Sequence, residues 1–546
     1  AGGDGKITEA DASAEKLVIV GASTKAVTIT GGGSDDTILG SSDTAAGDTL
    51  KGGTGADTFN MGDGGLTYLD TIDGGDGTDI VKVLGDVSDV DFMNVSNVET
   101  LTLDEGDVSN NVLGAYFNST GFTTVNLDTN AVSTISASGT SGNITYVSGA
   151  NQAEAITAGL GNDTFVFNGT GTLTGGNTGD AIDGGAGTDT IVIDNSAGAV
   201  SITANIGSKI KNVEKIVVKD ADGSSAASAQ VIGVTIDGNS VAGVQTDNST
   251  DNEDVSIEID LTTITDTNDT TTVVVSDIAD PDYSFVIKGA ASADDITGSA
   301  TVDTITGNAG NDVIVAGAGD DTIDGGTGND TITGGTGQDT MTGGSGADNF
   351  KFALGSSEAT NAKPDTITDF TTGDDTVTIS LTTAGSTYDF TNQGTATDAS
   401  SSIEKLSSVK GQYLLNTTTS SIVLDTDGNG LLQAGDFNVK LTGVSALSDA
   451  DVAFDITGTT SADTITTGAG ADSVSLGHVN SGVKLGKGND TVSIGNLTMT
   501  SHATGIHGGE GVDTIAVTAA SADIKAYDAS ATGVTGFEKN YSCYLV

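Results

Sequence analysis

The sequence predicts an all-β chain in which several repeat-built rolls alternate with antiparallel β-sandwich-like modules. Three observations predict it. Between Asp294 and Phe352 aspartates recur at 294, 303, 312, 321, 330, 339 and 348, nine residues apart. Two positions after each stands one apolar residue: Ile296, Ile305, Ile314, Ile323, Ile332, Met341 and Phe350. Elsewhere, as in Ser256-Ile257-Glu258-Ile259-Asp260-Leu261, apolar and polar residues alternate as half-buried strands require.

The turns of the periodic stretch, such as Gly325-Gly326-Thr327-Gly328-Asn329-Asp330 and Gly334-Gly335-Thr336-Gly337-Gln338-Asp339, fit the nonapeptide G-G-x-G-x-D-x-U-x. Paired glycines allow positive φ and leave carbonyls uncovered, and the aspartate adds a hard carboxylate oxygen. Thr331-Ile332-Thr333 is then a three-residue strand with one inward side chain. Disorder does not fix the phase of an apolar residue, and a hairpin meander needs strands of about five or six residues. These repeats resemble the calcium-binding repeats of RTX proteins. The resemblance implies right-handed parallel calcium β-rolls with two nonapeptides per coil, an ion lying between stacked turns. Asp294, Asp312, Asp330 and Asp348 then line one side and Asp303, Asp321 and Asp339 the other, with turn carbonyls as the remaining ligands.

Taken in order, residues 1–12 carry Asp4-Gly5-Lys6-Ile7-Thr8-Glu9-Ala10-Asp11, which fits the later positions of an EF-hand-like or dockerin-like loop whose first ligand precedes Ala1. A fragment or processed product is expected. Residues 13–83 form a first roll, with Asp36, Asp48, Asp57, Asp70 and Asp79 in the metal slots and a strand at Leu17–Val20. Residues 84–150 read as a β module. A second roll at 151–194 uses Asp163, Asp180 and Asp189, and a second module spans 195–290. The step Asn97-Val98-Glu99 returns as Asn212-Val213-Glu214 at a similar distance after each roll, with an echo at Gly536-Phe537-Glu538; the sequence alone gives no reason for the glutamate.

The long roll and its cap occupy 291–380. Here Pro364-Asp365-Thr366-Ile367-Thr368-Asp369-Phe370 and Gly373-Asp374-Asp375 make the segment from about 300 similar to the C-terminal β-roll domain of serralysin-type metalloproteases. Their protease half has no counterpart, since none of the three histidines stands in H-E-x-x-H. Residues 381–456 hold Asp425-Thr426-Asp427-Gly428-Asn429-Gly430 with Asp436 at the twelfth position. Alternate oxygens at Asp425, Asp427, Asn429 and Asp436 suit a lone structural calcium loop between strands. A fourth roll at 457–546 uses Asp463, Asp472, Asp490 and Asp513, and its end, Tyr544-Leu545-Val546, resembles those of type I secretion substrates.

Composition narrows the function. Among 546 residues, 75 are Asp or Glu and 19 are Lys or Arg, a net charge of −56 that argues against nucleic acid as a partner and repels anionic membranes unless calcium bridges the two. Stacked carboxylates repel until a divalent cation neutralises them, so calcium is expected to control folding. Extracellular calcium modules bind at about 10⁻⁴–10⁻³ M, which places folding outside the cell. The single cysteine, Cys543, forms no internal disulfide, and no apolar run approaches the roughly 20 residues of a membrane helix. No nucleophile motif or zinc cluster is present, so a non-enzymatic role is expected. A chain that is acidic, rich in Thr, Ser, Gly and Ala, and built of rolls and β modules resembles the RTX-type S-layer proteins of Gram-negative bacteria. That resemblance implies a calcium-dependent homo-oligomeric lattice at the cell surface, attached to surface polysaccharide through a further N-terminal part. The alternative is the repeat region of a secreted adhesin or exoenzyme exported by type I secretion.

Overall fold

A strand with one inward side chain gains burial only by stacking on its equivalent one coil away. The computed structural model shows that stack in residues 6–8, 18–20, 25–41, 45–61, 65–104, 109–127, 133–148, 154–168, 180–194, 202–206, 210–219, 231–237, 255–265, 270–276, 283–354, 364–382, 387–396, 410–428, 436–457, 464–476, 482–494, 506–517 and 534–535, the residues it describes. Among them there is no α-helix, only strands and three short 3₁₀ turns. The chain divides into two units, Ala1–Ile278 and Ala279–Val546.

In the second unit the long roll is two parallel ladders. One stacks Tyr283–Lys288, Asp303–Thr306, Thr322–Thr327, Thr340–Ser345 and Asp365–Ile367. The other stacks Asp294–Thr297, Val313–Ala318, Thr331–Thr336, Asn349–Ala353 and Thr376–Thr382. Register sets Ile305, Ile323, Met341 and Ile367 in one inward column and Ile314, Ile332, Phe350 and Val377 in the other. All eight are buried, each contributing about 1.5–3 kcal/mol of burial. The strands are longer than the three residues expected. Thr331–Thr336 runs through both glycines, because the glycine pairs also stack, Gly317 on Gly335 and Gly326 on Gly344.

Beyond the roll, Val452–Thr457, Ser473–Leu476, Thr491–Ile494 and Thr514–Val517 extend the second ladder. A third ladder joins Thr387–Asp389, Thr464–Thr466, Gly482–Lys484, Ile506–His507 and Val534–Thr535. Antiparallel pairing is confined, among the described residues, to Tyr413–Asn416, Ser421–Leu424 and Phe437–Leu441.

The first unit is also a parallel stack. One ladder joins Lys6–Thr8, Thr28–Thr30, Thr49–Thr54, Thr71–Asp76 and Val95–Ser96. Lys6–Thr8, the described part of the N-terminal loop, is therefore a strand paired with Thr28–Thr30, while Asp4, Glu9 and Asp11 lie outside the described residues. A second ladder starts at Val18–Val20 and runs through Thr37–Leu39, Thr58–Asn60, Ile80–Val83, Thr100–Leu103, Thr124–Asn126, Thr145–Val147, Thr164–Asn168, Thr190–Asp194 and Lys215–Lys219 to Val255–Asp260. The antiparallel modules expected at 84–150 and 195–290 thus pair in parallel wherever their strands are described. Alternation of apolar and polar residues has period two in both kinds of sheet, so it does not distinguish them. What changes at Ile80 is coil content. Loops there hold 3₁₀ turns at Asp89–Phe92 and Phe117–Ser119, and Phe92, Phe117 and Phe122 pack with centroids 4.9–5.7 Å apart, filling a wider coil.

Candidate metal centres

The sequence-picked aspartates form columns because the coils stack in register. Each carboxylate reaches back one coil and accepts a backbone N–H through Oδ1. In the long roll Asp294 N–H donates to Asp312 (2.9 Å), Asp312 to Asp330 (2.8 Å) and Asp330 to Asp348 (2.9 Å), all across 18 residues. On the other side Asp303 donates to Asp321 (2.8 Å) and Asp321 to Asp339 (2.9 Å). The first roll repeats this from Asp36 to Asp57 and from Asp57 to Asp79, both 2.7 Å, and between Asp48 and Asp70, 2.7 Å. Asp163 donates to Asp189 at 2.7 Å, Glu154 to Asp180 at 3.0 Å, Asp472 to Asp490 at 2.9 Å and Asp490 to Asp513 at 3.1 Å.

The second oxygen divides the set. Oδ2 of Asp57, Asp79, Asp189, Asp312, Asp321, Asp330, Asp348, Asp472, Asp490 and Asp513 is buried without a hydrogen-bond donor. In eight of these the residue four positions upstream has positive φ: Gly53, Gly75, Gly185, Asn308, Gly317, Gly326, Gly344 and Gly509. That twist turns its N–H away from the carboxylate. Where the upstream residue lacks positive φ, its N–H closes on Oδ2: Gly32 on Asp36 (3.0 Å), Gly159 on Asp163 (3.3 Å), Ala290 on Asp294 (2.6 Å), Ser299 on Asp303 (2.6 Å) and Thr371 on Asp375 (2.7 Å). Asp48 is closed by Ser41 and Asp70 by Thr67, each through backbone N–H and hydroxyl. Asp472 and Asp490 stay open without positive φ at Gly468 and Gly486, and nothing in their turns explains it.

The open oxygens fit a hard cation. A Cβ added at Gly307 would run into both Asp312 Oδ2 and the Gly325 carbonyl, and one at Gly325 into Asp330 Oδ2 and the Gly343 carbonyl. Carboxylate and carbonyl oxygens therefore converge above the first glycine of these turns, the all-oxygen donor set that calcium takes. A buried carboxylate without a partner is costly and is relieved by a proton or a metal ion. Burial accordingly pushes the Asp321 carboxyl up to about 8, with Asp303 and Asp339 adding repulsion. It pushes Asp189 and Asp472 to about 7, and Asp57, Asp312, Asp330, Asp348 and Asp490 to about 6.

The separate loop also comes together. Carboxylate oxygens of Asp425, Asp427 and Asp436 lie within 4.8 Å of one another, between the antiparallel strands Ser421–Leu424 and Phe437–Leu441. Asp425 Oδ1 accepts the Gly428 N–H at 2.6 Å and Asp436 Oδ1 accepts Thr426 N–H and hydroxyl at 3.1 and 3.0 Å, which holds the carboxylates in place. Asn429 and Asp463 lie outside the described residues, as do Cys543, His478, His502 and Glu538.

Five ladder carboxylates escaped the nonapeptide pattern. Asp365 and Asp375 accept the N–H of Asp339 (2.8 Å) and Asp348 (3.0 Å), carrying both columns into the cap, and Asp369 accepts Gly343 and Gly344 N–H (3.0 and 2.8 Å). Glu99 and Glu214 accept the N–H of Asp79 and Asp189, both at 2.7 Å. The Asn-Val-Glu recurrence was the signal for the last two; an insertion before Asp365 hid the others.

Comparison with protein families matches residues 22–45, 43–64, 288–323, 315–350 and 455–477 to the RTX calcium-binding nonapeptide repeat (4 copies). Comparison with curated proteins returns no match. Matched repeats, parallel stacked coils and columns of oxygen donors together fit an RTX β-roll protein, whose nonapeptide repeats bind several calcium ions.

Proposed function

We propose that the chain is a structural, non-catalytic subunit of a calcium-dependent surface layer, in which calcium folds the rolls and bridges neighbouring copies. The observation that carries this reading is the recurrence of open, buried carboxylates from Asp57 to Asp513, in both units. Filling them makes folding conditional on external calcium, because ligand binding free energy becomes folding free energy. A net charge of −56 keeps copies apart until the same ion bridges their acidic surfaces. RTX repeat proteins are typically secreted, and no helix among the described residues is long and apolar enough to cross a membrane. The second reading, a repeat region of a secreted adhesin or exoenzyme, is favoured by the cap, where Asp365 and Asp375 continue the ladders past the last glycine turn in the segment that resembles a serralysin roll end. Electron microscopy of the purified chain before and after millimolar calcium tests the proposal. Ordered sheets or tubes that dissolve in chelator support the layer. Discrete particles in both conditions overturn it in favour of the repeat region.

A further inference from the structure

Rungs of the open columns at Asp57, Asp312 and Asp330 have the same parts: a glycine, the carboxylate oxygen of the aspartate that ends its turn, and a backbone carbonyl from the next coil. A Cβ at Gly52 would strike Asp57 Oδ2 and the Gly74 carbonyl. At the last rung the next coil has no glycine turn, yet the parts are still present. A Cβ at Gly74 would strike Asp79 Oδ2 and the carbonyl of Asn97, and one at Gly184 would strike Asp189 Oδ2 and the carbonyl of Asn212. Asn97 and Asn212 take φ of 53° and 51°, the left-handed turn that glycine takes elsewhere and asparagine tolerates. Each is pinned there by its side-chain amide, which donates to Asp73 (2.8 Å) and Asp183 (2.6 Å).

The glutamate completes the substitution. From Gly75 to Asp79 a turn has four steps, whereas from Asn97 to Glu99 it has two, so the carboxylate stands on a shorter turn. The extra methylene of glutamate makes up the reach, and Oε2 takes the N–H of Asp79, as an aspartate does at every rung below. The same geometry is built a second time at Asp189 and Glu214. Asp79 and Asp189 are both fully buried and keep Oδ2 without a donor. Of the nearby lysines, Lys51 pairs with Asp73 at 3.8 Å, and Lys215 with Glu258 and Asp260, both at 3.2 Å.

We propose that the two Asn-Val-Glu steps are terminal calcium sites. Each closes its column with one ion held by the last aspartate, the asparagine backbone carbonyl and the glutamate carboxylate. The steps then mark where a calcium-loaded roll hands over to coils that stack without calcium. The proposal rests on the reading of the columns as calcium sites, and the test separates the two.

Calcium bound at saturation is counted by equilibrium dialysis for the full chain, E99Q, E214Q and the double variant. Glutamine keeps an acceptor for the aspartate N–H and removes only the charge. The expected result is one ion fewer for each single variant and two fewer for the double. An unchanged count in variants of a calcium-binding parent makes the glutamates hydrogen-bond caps and overturns this inference alone. A parent that binds no calcium overturns the columns themselves. Should the variants not fold, terbium-soaked crystals of the unaltered chain decide. Anomalous peaks beside Asp79 and Asn97, and beside Asp189 and Asn212, uphold the sites, and their absence there with peaks elsewhere in the rolls removes them.

Discussion

Asp330 accepts the backbone N–H of Asp312 at 2.8 Å through one carboxylate oxygen and buries the other without a donor. One side chain therefore does two things. It ties a coil to its neighbour, and it presents an anionic oxygen that only a proton or a cation can satisfy. One oxygen builds the stack and the other offers a ligand.

Asp321→Asn separates them. Asparagine keeps an acceptor for the Asp303 N–H but carries no charge. In chelator the variant is expected to be more stable than the parent, because a buried unpaired carboxylate is gone. In saturating calcium it is expected to be less stable, by about 1–3 kcal/mol for a lost charged ligand. Denaturant melts in both buffers read the crossing of sign, and destabilisation in both would reject the open-oxygen account.

Gly326→Ala tests the twist that keeps Asp330 open. Gly326 has φ of 106°, and a Cβ there would strike the Asn308 carbonyl. Backbone strain alone costs about 1–3 kcal/mol, and the collision adds to it. The calcium midpoint of folding is expected to rise, read by circular dichroism. By contrast, Gly373→Ala meets no atom within 4 Å and incurs only the strain of φ 90°.

The pH dependence without calcium runs opposite to ordinary acid denaturation. Folded-state carboxyls lie above the usual 3.8: Asp321 at about 8, Asp189 and Asp472 at about 7, and Asp57, Asp312, Asp330, Asp348 and Asp490 at about 6. The folded chain holds protons that the unfolded chain has already released, so stability falls as pH rises from about 4 through 8. In chelator, lowering the pH from 8 to 5 is expected to increase β-structure by circular dichroism. Loss of structure over that interval would contradict it.

Ile332→Ala probes the inward column, where Ile332 stacks between Ile314 and Phe350 and is fully buried. The expected loss is about 2–5 kcal/mol, measured by chemical denaturation in saturating calcium. The exposed neighbour Val313 is expected to tolerate alanine with a far smaller change.

What the sequence disclosed followed its glycines. The period from Asp294 to Asp348 gave both columns and the inward side chains, because a strict repeat leaves one way to stack. Parallel pairing at Thr100, Thr124 and Thr145 was hidden, since coils of uneven length carry no fixed phase and alternation is shared with antiparallel sheets. Which aspartates are open was hidden too. Asp303 and Asp321 occupy equivalent slots, yet Ser299 closes the first and the twist at Gly317 opens the second.

The most direct test of the central claim is a calcium titration of the full chain at neutral pH, followed by far-UV circular dichroism and hydrodynamic radius. The account predicts an expanded chain with little β-structure in chelator, and cooperative collapse to a β-rich fold as calcium reaches the millimolar range. A compact β-rich chain in chelator, unchanged by calcium, would show that the columns are satisfied without metal.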